Sequence, residues 1–439
     1  MTEHPRSQPR AIPATRLSRF NRLASMTARV GGSMAGGAIQ DLARGQRPKM
    51  RDLLLTPGNM RRIADDLAKM RGAAMKIGQL VSMDTGDVLP PELAQIFARL
   101  RADADFMPPS QLKKVLNANW PDGWLKEFQR FDVHPIAAAS IGQVHRAQLK
   151  DGRDVAIKVQ YPGVAKSIDS DVSNVGALMK VSGLLPAGFE LKPYLIEARR
   201  QLHEETDYAL EGRQLRAFRA HLDGNEAFTL PEMYEDWTTE NILTMSYVSG
   251  VPIEDATHAP QDERNRIAKR LLSLMLDELF RFHLMQTDPN FANYRYDPGT
   301  GKIILLDFGA TRAIDPQLAD QYRRLMSAGF ADDTDALHAV AMEVGFLSEQ
   351  TEARHATRIL RMMQLVFAAL SDSETFDFTR TDLSDAMNRE GRALAEAGFV
   401  PPPLPMDVLY LQRKFGGMFL LCARLKAQVQ VKALIESYL

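Results

Sequence analysis

The chain has 439 residues, of which 45% are hydrophobic and 25% are charged, and its formal net charge is −1. This is the composition of an ordinary globular protein, with room for two or three compact units. The near-zero net charge gives no overall bias toward polyanions, so we expect no nucleic-acid partner. Cys422 is the single cysteine, which excludes a disulfide framework and a cysteine-rich zinc site and fits a reducing compartment.

Residues 1–56 are basic and rich in Gly, Pro and Ser, and they are predicted to be mostly flexible, with a short helix over 16–29. Residues 1–50 hold eight Arg and one Lys against Glu3 and Asp41. Two interpretations are open: a disordered basic tail, or a segment attracted to an anionic membrane surface, where each basic residue contributes about 1 kcal/mol.

The start of the chain lacks the apolar core of a secretory signal, but it has the Arg-rich, acid-poor character of a mitochondrial presequence. Its longest uncharged stretch, residues 30–40, is glycine-rich and shorter than the about 20 residues that a spanning helix needs. We therefore expect a soluble or peripheral protein. It would be cytoplasmic and peripheral at the inner membrane if bacterial, or at the matrix face of the mitochondrion if eukaryotic.

Residues 57–125 are predicted to form a helical extension. Apolar residues recur at three-or-four spacing from Met60 to Val81. Proline pairs at 90–91 and 108–109 mark the starts of two further helices, which run to residues 101 and 117.

Residues 126–248 change to a strand pattern with inserted helices. Predicted strands over 143–149 and 154–160 flank Asp151-Gly152, which is a strong hairpin signal. A helix is predicted over 165–184 and a single longer helix over 193–221. Strand-like runs follow at 228–234 and 241–248.

Residues 249–439 are predicted to be helical after a break at 249–252. A helix covers 261–282, one strand at 303–307 interrupts the pattern, and helices continue from Pro316 with a loop at 401–403. No internal repeat is visible. The order of elements predicts an α+β, bilobal protein-kinase-like fold with a helical N-terminal extension and a helical C-terminal region.

A nucleotide loop is predicted at residues 137–144. Protein kinases carry G-x-G-x-x-G-x-V in this frame, and here the first two glycines are alanines. Alone, the stretch could equally be an alanine-rich turn. Fourteen residues later, Lys158 ends Val-Ala-Ile-Lys on an apolar strand, where a buried lysine needs an anion such as the α- and β-phosphates of ATP. The predicted nucleotide-binding residues are Ala137, Ala138, Ala139, Ser140, Gly142, Val144, Lys158, Glu211, Met245, Tyr247 and Val248.

Carboxylates on the predicted 193–221 helix are candidate partners of Lys158. On one continuous helix, Glu204, Asp207 and Glu211 share a face and Glu205 points away. This stripe is either a solvated acidic face or an ion pair with Lys158 plus a second cationic contact.

Lys76 is the candidate second cation. It projects together with Gln79 from a helix in which Gly78 suggests close packing, although a surface lysine is the alternative.

Asp288, Asn293 and Asp307 have the spacing of the kinase catalytic loop and its Asp-Phe-Gly motif. In this layout Asp288 is the catalytic carboxylate, and Asn293 and Asp307 ligate Mg²⁺ beside ATP or ADP. Gln286-Thr287 replaces the usual His-Arg, and Asn290 stands where serine/threonine kinases carry a lysine. The chain then passes almost directly from Asp-Phe-Gly to Pro316, without a long activation segment or Ala-Pro-Glu, which argues against a protein substrate.

Together these motifs resemble the UbiB family of atypical kinases, also called the ADCK family, over about residues 60–330. The shared marks are the Lys-x-Gly-Gln helix, the alanine-rich loop, Glu-x-Asp at 205–207 and the Asp288 and Asp-Phe-Gly motifs. The run at 285–294 is similar to the coenzyme Q branch of the family. The resemblance implies that Lys76, Gln79, Glu205 and Asp207 belong to an occluding or regulatory group over the active site, with Lys76 also close to the chemistry. We expect Glu205 and Asp207 to face different partners, and Glu211 to pair with Lys158.

The leading functional hypothesis is a Mg²⁺-dependent ATPase that supports ubiquinone biosynthesis at a membrane surface. The resemblance implies ubiquinone-biosynthesis enzymes and isoprenoid lipid intermediates as partners, together with an anionic membrane. Two alternatives are a small-molecule or lipid kinase, and a nucleotide-gated scaffold without relevant catalysis. Gly32-x-x-x-Gly36 also raises the hypothesis of a homodimer.

Overall fold

The structure is a computed structural model, and it describes residues 67, 70–85, 106–181 and 190–439 of the chain. The chain forms two compact units. Unit 1 lies within Met1–Arg216 and Pro231–Tyr247, and unit 2 within Ala217–Leu230 and Val248–Leu439. The predicted helices over 16–29 and 90–101 and the glycine pair at 32 and 36 lie outside the described residues. Within the described part of the chain, no helix is both long enough and apolar enough to cross a membrane.

In the first half of the chain the described elements are a mixture of helices and strands, and in the second half they are mostly helices. The α-helices are α1 (Arg71–Thr85), α2 (Pro109–Asn119), α3 (Val164–Val181), α4 (Lys192–Glu205), α5 (Tyr208–His221), α6 (Gln261–Phe280), α7 (Pro316–Phe330), α8 (Thr334–Val344), α9 (Ala353–Ser371), α10 (Asp382–Glu396), α11 (Met406–Arg424) and α12 (Val431–Glu436). The strands are β1 (Phe128–Phe131), β2 (Ala137–Ala138), β3 (Gly142–Leu149), β4 (Asp154–Gln160), β5 (Phe228–Thr229), β6 (Ile242–Ser246), β7 (Val251–Pro252), β8 (Leu284–Gln286), β9 (Tyr294–Asp297), β10 (Lys302–Leu305), β11 (Thr311–Ala313), β12 (Phe376–Asp377) and β13 (Gln428–Val429).

Unit 1 is built on an antiparallel sheet in the order β1-β3-β4-β6, with β2 paired to β3. The predicted hairpin is confirmed, because β3 and β4 pair across the Asp-Gly turn. Val155, Ile157 and Val159 of β4 are fully buried in a core that also contains Trp120 and Trp124. Since side chains alternate along a strand, Lys158 projects from the opposite face of the sheet.

The prediction of one helix over 193–221 is wrong, because the helix breaks at Thr206. The Thr206 carbonyl accepts a hydrogen bond from Gln160 Nε2 at 2.9 Å, so a strand side chain ends α4. Asp207 then caps α5, with its Oδ1 accepting from the Leu210 backbone N–H at 2.8 Å. The break rotates the two halves of the predicted acidic stripe onto different faces.

Unit 2 contains more strand than the sequence pattern predicted. Instead of one strand at 303–307, it has a four-stranded sheet in the order β5-β10-β9-β7 and a two-stranded β11-β8 pair. The run at 228–234 shortens to β5, which pairs parallel to β10. The predicted all-helical end of the chain also contains the small β12-β13 pair. These strands have two to four residues, too few for a period of two to be visible in the sequence.

Candidate functional site

Lys158 and Glu211 form a buried ion pair in unit 1. Lys158 Nζ lies 2.7 Å from Glu211 Oε1 and 2.8 Å from Oε2, and only 9% and 4% of the two residues are exposed. Strand β4 supplies the lysine, and the first turn of α5 supplies the glutamate. The ammonium also lies 5.2 Å from the centre of the Tyr208 ring. The predicted pairing of Lys158 with Glu211 is confirmed, and it places a buried ammonium next to a carboxylate on a strand whose residues Val155, Ile157 and Val159 are apolar.

Lys76 of α1 pairs with Glu205 at the end of α4. Glu205 Oε2 in turn accepts a hydrogen bond from Ser140 Oγ at 3.0 Å. The ion pair and the hydrogen bond connect the Lys-x-Gly-Gln helix, the end of α4 and the alanine-rich loop in one polar network. A Cβ at Gly72 would lie 3.1 Å from Ile141 Cγ2 and 3.6 Å from the Ser140 carbonyl oxygen, so α1 packs directly on this loop. Gly72 is thus one position of close approach on α1, and Gly78, for which close packing was predicted, is buried on the same helix.

The alanine-rich loop is a tight β-hairpin. Ala137 pairs with Val144 and Ala138 with Gln143, and the Ala139 N–H donates to the Gly142 carbonyl at 2.8 Å. A Cβ at Gly142 would come within 2.5 Å of both Tyr208 Oη and the Val159 carbonyl oxygen. Glycine is therefore required at this position by packing inside unit 1, whatever its part in phosphate binding.

The residues predicted at the end of the sheet lie on β6 and just beyond it. Met245 is buried and pairs with Ala156 of β4. The Tyr247 N–H donates to the Asp154 carbonyl at 2.9 Å, and its ring lies under the Arg146 guanidinium at 4.0 Å. Val248, which is half-buried, begins the second segment of unit 2.

The carboxylates of the predicted acidic stripe face separate partners. Besides capping α5, Asp207 lies 3.5 Å from Arg213, and Glu204 pairs with Arg200. Asp207 therefore does not join Lys76 or Lys158, and the expectation that Glu205 and Asp207 face different partners is confirmed. Gln79 is half-buried on α1, one turn after Lys76.

In unit 2, hydrogen bonds of backbone and side-chain groups hold Asp288, Asn293 and Asp307 in one loop system. Asn293 Nδ2 donates to the Asp288 carbonyl at 3.1 Å, and the Leu306 N–H donates to the Asn293 carbonyl at 3.1 Å. Asp307 Oδ1 accepts from the Gly309 N–H at 2.9 Å. Since the Asn293 amide nitrogen is used within the loop, its amide oxygen is the atom that could ligate a cation.

The segment after Asp307 is short and structured. Phe308 packs on Phe218 with ring centroids 5.1 Å apart. Thr311–Ala313 pairs with β8, and Asp315 caps α7 by accepting from the Gln317 N–H. The predicted lack of a long activation segment is confirmed.

Two functional candidates on α11 escaped the sequence analysis. Arg413 Nη2 lies 2.5 Å from Asp288 Oδ1. Its neighbour Lys414, which is 1% exposed, lies 2.9 Å from Glu278 Oε2 and donates to the Gln286 carbonyl at 2.8 Å. Burial alone disfavours the charged ammonium, but Glu278 and the Tyr294 hydroxyl outweigh it and hold the pKa of Lys414 above its usual range. The sequence signal that could have identified them is a pair of adjacent cations in the middle of a helix with long apolar runs.

The fold, the Lys158–Glu211 pair of unit 1 and the Asp288–Asp307 loop system of unit 2 define a kinase-like protein without a peptide-docking activation segment. The comparison with protein families agrees: the ABC1 atypical kinase-like domain matches residues 99–341. The chain belongs to this family, and the resemblance to the UbiB/ADCK atypical kinases is confirmed.

Similar proteins cover nearly the whole chain. "Atypical kinase COQ8, mitochondrial" of Saccharomyces cerevisiae is 37% identical over 97% of this chain and 85% of its own length. "Atypical kinase COQ8B, mitochondrial" of Danio rerio is 35% identical over 96% and 68%. Among solved structures, the complex of Rv3197 with erythromycin from Mycobacterium tuberculosis is 25% identical, covers 87% of this chain and 96% of that one, and has a TM-score of 0.61.

Proposed function

We propose that this protein is a Mg²⁺-dependent ATP-hydrolysing atypical kinase that supports ubiquinone biosynthesis at a membrane surface. The observation that carries the proposal is the buried Lys158–Glu211 pair, with its nitrogen–oxygen distances of 2.7 and 2.8 Å. An ion pair in this position keeps the lysine charged and oriented for phosphate. The relatives named COQ8 add the pathway, because COQ8 proteins are atypical kinases of ubiquinone biosynthesis.

The donor set fits magnesium. Asp307 offers a carboxylate and Asn293 an amide oxygen, which are the hard ligands that Mg²⁺ prefers. Over the described ranges no cluster of three or more His, Cys, Asp or Glu side chains could hold a metal unaided. Asn293 and Asp307 would hold a Mg²⁺ ion that is supplied with the nucleotide. When bound, Mg²⁺ would neutralise charge on the phosphates.

The residues of the chain then have separate tasks. Lys158 binds the α- and β-phosphates, and the 137–144 hairpin, Met245, Tyr247 and Val248 surround the rest of the nucleotide. Asp288 orients a water molecule. The water oxygen forms a bond to the γ-phosphorus as the bond to the β–γ bridging oxygen breaks, which yields ADP and inorganic phosphate and releases a proton to solvent. Positioning and electrostatics supply most of the rate, as is general for phosphoryl transfer.

As the acceptor of the γ-phosphoryl group, water or a small hydroxyl compound fits this site better than a peptide does. The contact of α1 with the hairpin through Gly72, Lys76 and Glu205 occupies the surface beside the nucleotide loop. In unit 2 the chain passes from Phe308 to α7 through one short strand, so the segment on which protein kinases dock peptides is missing. Partners would be ubiquinone-biosynthesis enzymes and their isoprenoid lipid intermediates.

The decisive test is Mg²⁺-dependent ATP turnover of the full chain and of Asp307→Asn. We expect the substitution to lower turnover by about a hundredfold or more, because one charged ligand of the metal is lost. Asp320→Asn, on an exposed pair of α7, is the matched control and should retain the parent rate. Equal turnover in Asp307→Asn and the parent would refute the metal assignment.

A second candidate, phosphorylation of a small molecule or lipid, is favoured by one observation. The structural neighbour from Mycobacterium tuberculosis was solved as a complex with erythromycin, so a related fold accommodates a small organic molecule. Transfer of labelled phosphate to a membrane extract would support this activity over ATP hydrolysis. In a strain lacking the protein, restoration of ubiquinone by a variant that binds but does not hydrolyse ATP would instead indicate a nucleotide-gated scaffold.

A further inference from the structure

We propose that Arg413 is a positioning residue for Asp288, a role that rests on the proposed ATP hydrolysis. Protein kinases of the serine/threonine class carry a lysine two residues after the catalytic aspartate. Here that position is Asn290, whose Oδ1 is used to accept the Ala292 N–H at 3.1 Å. The catalytic loop therefore lacks its own cation, and α11 supplies one from a distant part of the sequence. Arg413 Nη2 lies 2.5 Å from Asp288 Oδ1.

The contact is fixed by the residues around it. On the same helix, Lys414 donates to the Gln286 carbonyl at 2.8 Å and lies 2.9 Å from Glu278 Oε2. One turn later, a Cβ at Gly417 would lie 2.3 Å from Pro289 Cβ, so the helix backbone is seated on the loop. Helix α11 thus touches the loop two residues before Asp288, at Asp288 and one residue after it.

Burial makes the pair stronger than an exposed one. The Arg413 and Asp288 side chains are 16% and 21% exposed. A guanidinium stays charged at all physiological pH values and presents its donors in a rigid plane. A charge-assisted bond of this kind restricts the Asp288 carboxylate to one orientation. With Oδ1 held by Arg413, Oδ2 is the oxygen that accepts a hydrogen from the attacking water.

The inference predicts an effect on turnover rather than on nucleotide affinity. Arg413 acts through Asp288 and has no assigned contact with the nucleotide. We expect Arg413→Gln to lower kcat by about tenfold to a hundredfold, the range for a misplaced catalytic group. The dissociation constant of Mg-ADP should change less than about twofold. Arg413→Lys should restore part of kcat, since it returns the charge without the planar geometry.

The experiment measures kcat, KM and Mg-ADP binding for the full chain and these variants, with Arg424→Gln as the control. Arg424 is exposed near the end of the same helix, so its substitution should leave all three values unchanged. A double variant, Asp288→Asn with Arg413→Gln, should be no slower than Asp288→Asn alone, because Arg413 acts through that carboxylate.

Any of three results would overturn the inference: an Arg413→Gln enzyme that turns over at the parent rate or faster, rate losses that multiply in the double variant, or an Arg413→Lys protein that is folded and binds Mg-ADP but recovers no kcat. If Arg413→Gln also loses Mg-ADP binding, which would indicate a structural role, the Arg413→Lys result decides between the two roles. If the parent shows no Mg²⁺-dependent turnover, the proposed function itself fails. That outcome is distinct from parent-level turnover in Arg413→Gln.

Discussion

In the part of the chain that the structure describes, each buried lysine is paired with a glutamate from a different secondary-structure element. The pairs are Lys76 with Glu205, Lys158 with Glu211 and Lys414 with Glu278. Removing one member of a buried pair leaves an uncompensated charge, which typically costs about 3–5 kcal/mol. The pairs therefore set the orientation of α1, α5 and α11 within their own units.

His145 belongs to a buried hydrogen-bond network that requires its imidazole ring to be neutral. The Asp132 carbonyl can only accept, so His145 Nδ1 carries the hydrogen, and Nε2 accepts from the Gln143 amide at 2.8 Å. The other end of that amide, Oε1, accepts from the Met107 N–H at 2.8 Å. Burial lowers the pKa of His145, against the opposing effect of the Asp132 carbonyl.

This arrangement predicts a loss of stability in mild acid. As pH falls, the unfolded chain gains a proton on His145 near pH 6.5, while the folded protein does not until a lower pH. The free energy of unfolding should then fall by up to about 1.4 kcal/mol per pH unit below about 6.5. Urea unfolding at pH 7.5 and 5.5 measures it, with tryptophan fluorescence as the signal. All three tryptophans pack in one aromatic cluster of unit 1, so the signal reports on that unit.

His145→Gln removes the titrating ring and should reduce this pH dependence, even if the variant is less stable at both pH values. His338→Gln is the control, because His338 is exposed on α8 of unit 2 and should leave the pH dependence as in the parent. An unchanged pH dependence in His145→Gln would contradict the assignment.

At the scale of elements, the kinase-like site depends on where helices end and on what they touch. Gln160 of β4 ends α4 at Thr206, and the restart of the helix at Tyr208 directs Glu211 toward Lys158. Helix α11, far away in sequence, contacts the catalytic loop through Arg413, and its Gly417 is seated against Pro289. Both arrangements place a carboxylate and a cation together from separate elements.

Adjacent glycines on α11 provide a matched test of this contact. A Cβ at Gly417 would lie 2.3 Å from Pro289 Cβ and Cγ, whereas a Cβ at Gly416 meets no atom within 4 Å. Gly417→Ala should displace Pro289, next to Asp288, and lower ATP turnover by about tenfold or more. Gly416→Ala should keep the parent turnover and stabilise the protein by up to about 1 kcal/mol through helix propensity.

Turnover assays and thermal unfolding of the two variants separate these effects. If both alanine variants retained parent turnover, the seating of α11 on the catalytic loop would have no consequence for catalysis.

For the whole molecule, the distribution of charge matters more than its sum. The net charge is −1, yet residues 1–50 carry nine basic residues and two acidic ones. This asymmetry supports a proposal that the basic segment draws the protein to an anionic membrane. The attraction would be electrostatic, and it should weaken as salt shortens the Debye length below about 10 Å.

Vesicle sedimentation with anionic and neutral lipids tests this proposal. Substituting Arg16, Arg19 and Arg22 by glutamine should weaken partitioning to anionic vesicles by roughly a hundredfold, at about 1 kcal/mol per residue. The control substitutes Arg354, Arg358 and Arg361 of α9, which changes the net charge equally and should have a much smaller effect. Equal partitioning of the two triple variants would show that the basic segment is not the membrane contact.

The sequence by itself determined the family of this protein and predicted its nucleotide chemistry. Lys158, Asp288, Asn293 and Asp307 stand at spacings that few other arrangements share, and the short distance from Phe308 to Pro316 is visible in the printed chain. The hairpin of β3 and β4 also followed from local pattern, since an Asp-Gly turn between alternating strands needs no distant partner.

Only the tertiary structure decided which charges meet. The sequence-based prediction assumed one continuous helix over 193–221. In the structure, the Gln160 side chain of β4 binds the Thr206 carbonyl, and the helix ends there. Strands of two to four residues form in unit 2 because neighbouring strands complete their hydrogen bonds. A local hydrophobic period in the sequence cannot predict such short strands. The contact of Arg413 with Asp288 joins residues 125 positions apart, and only the packing of α11 brings them to 2.5 Å.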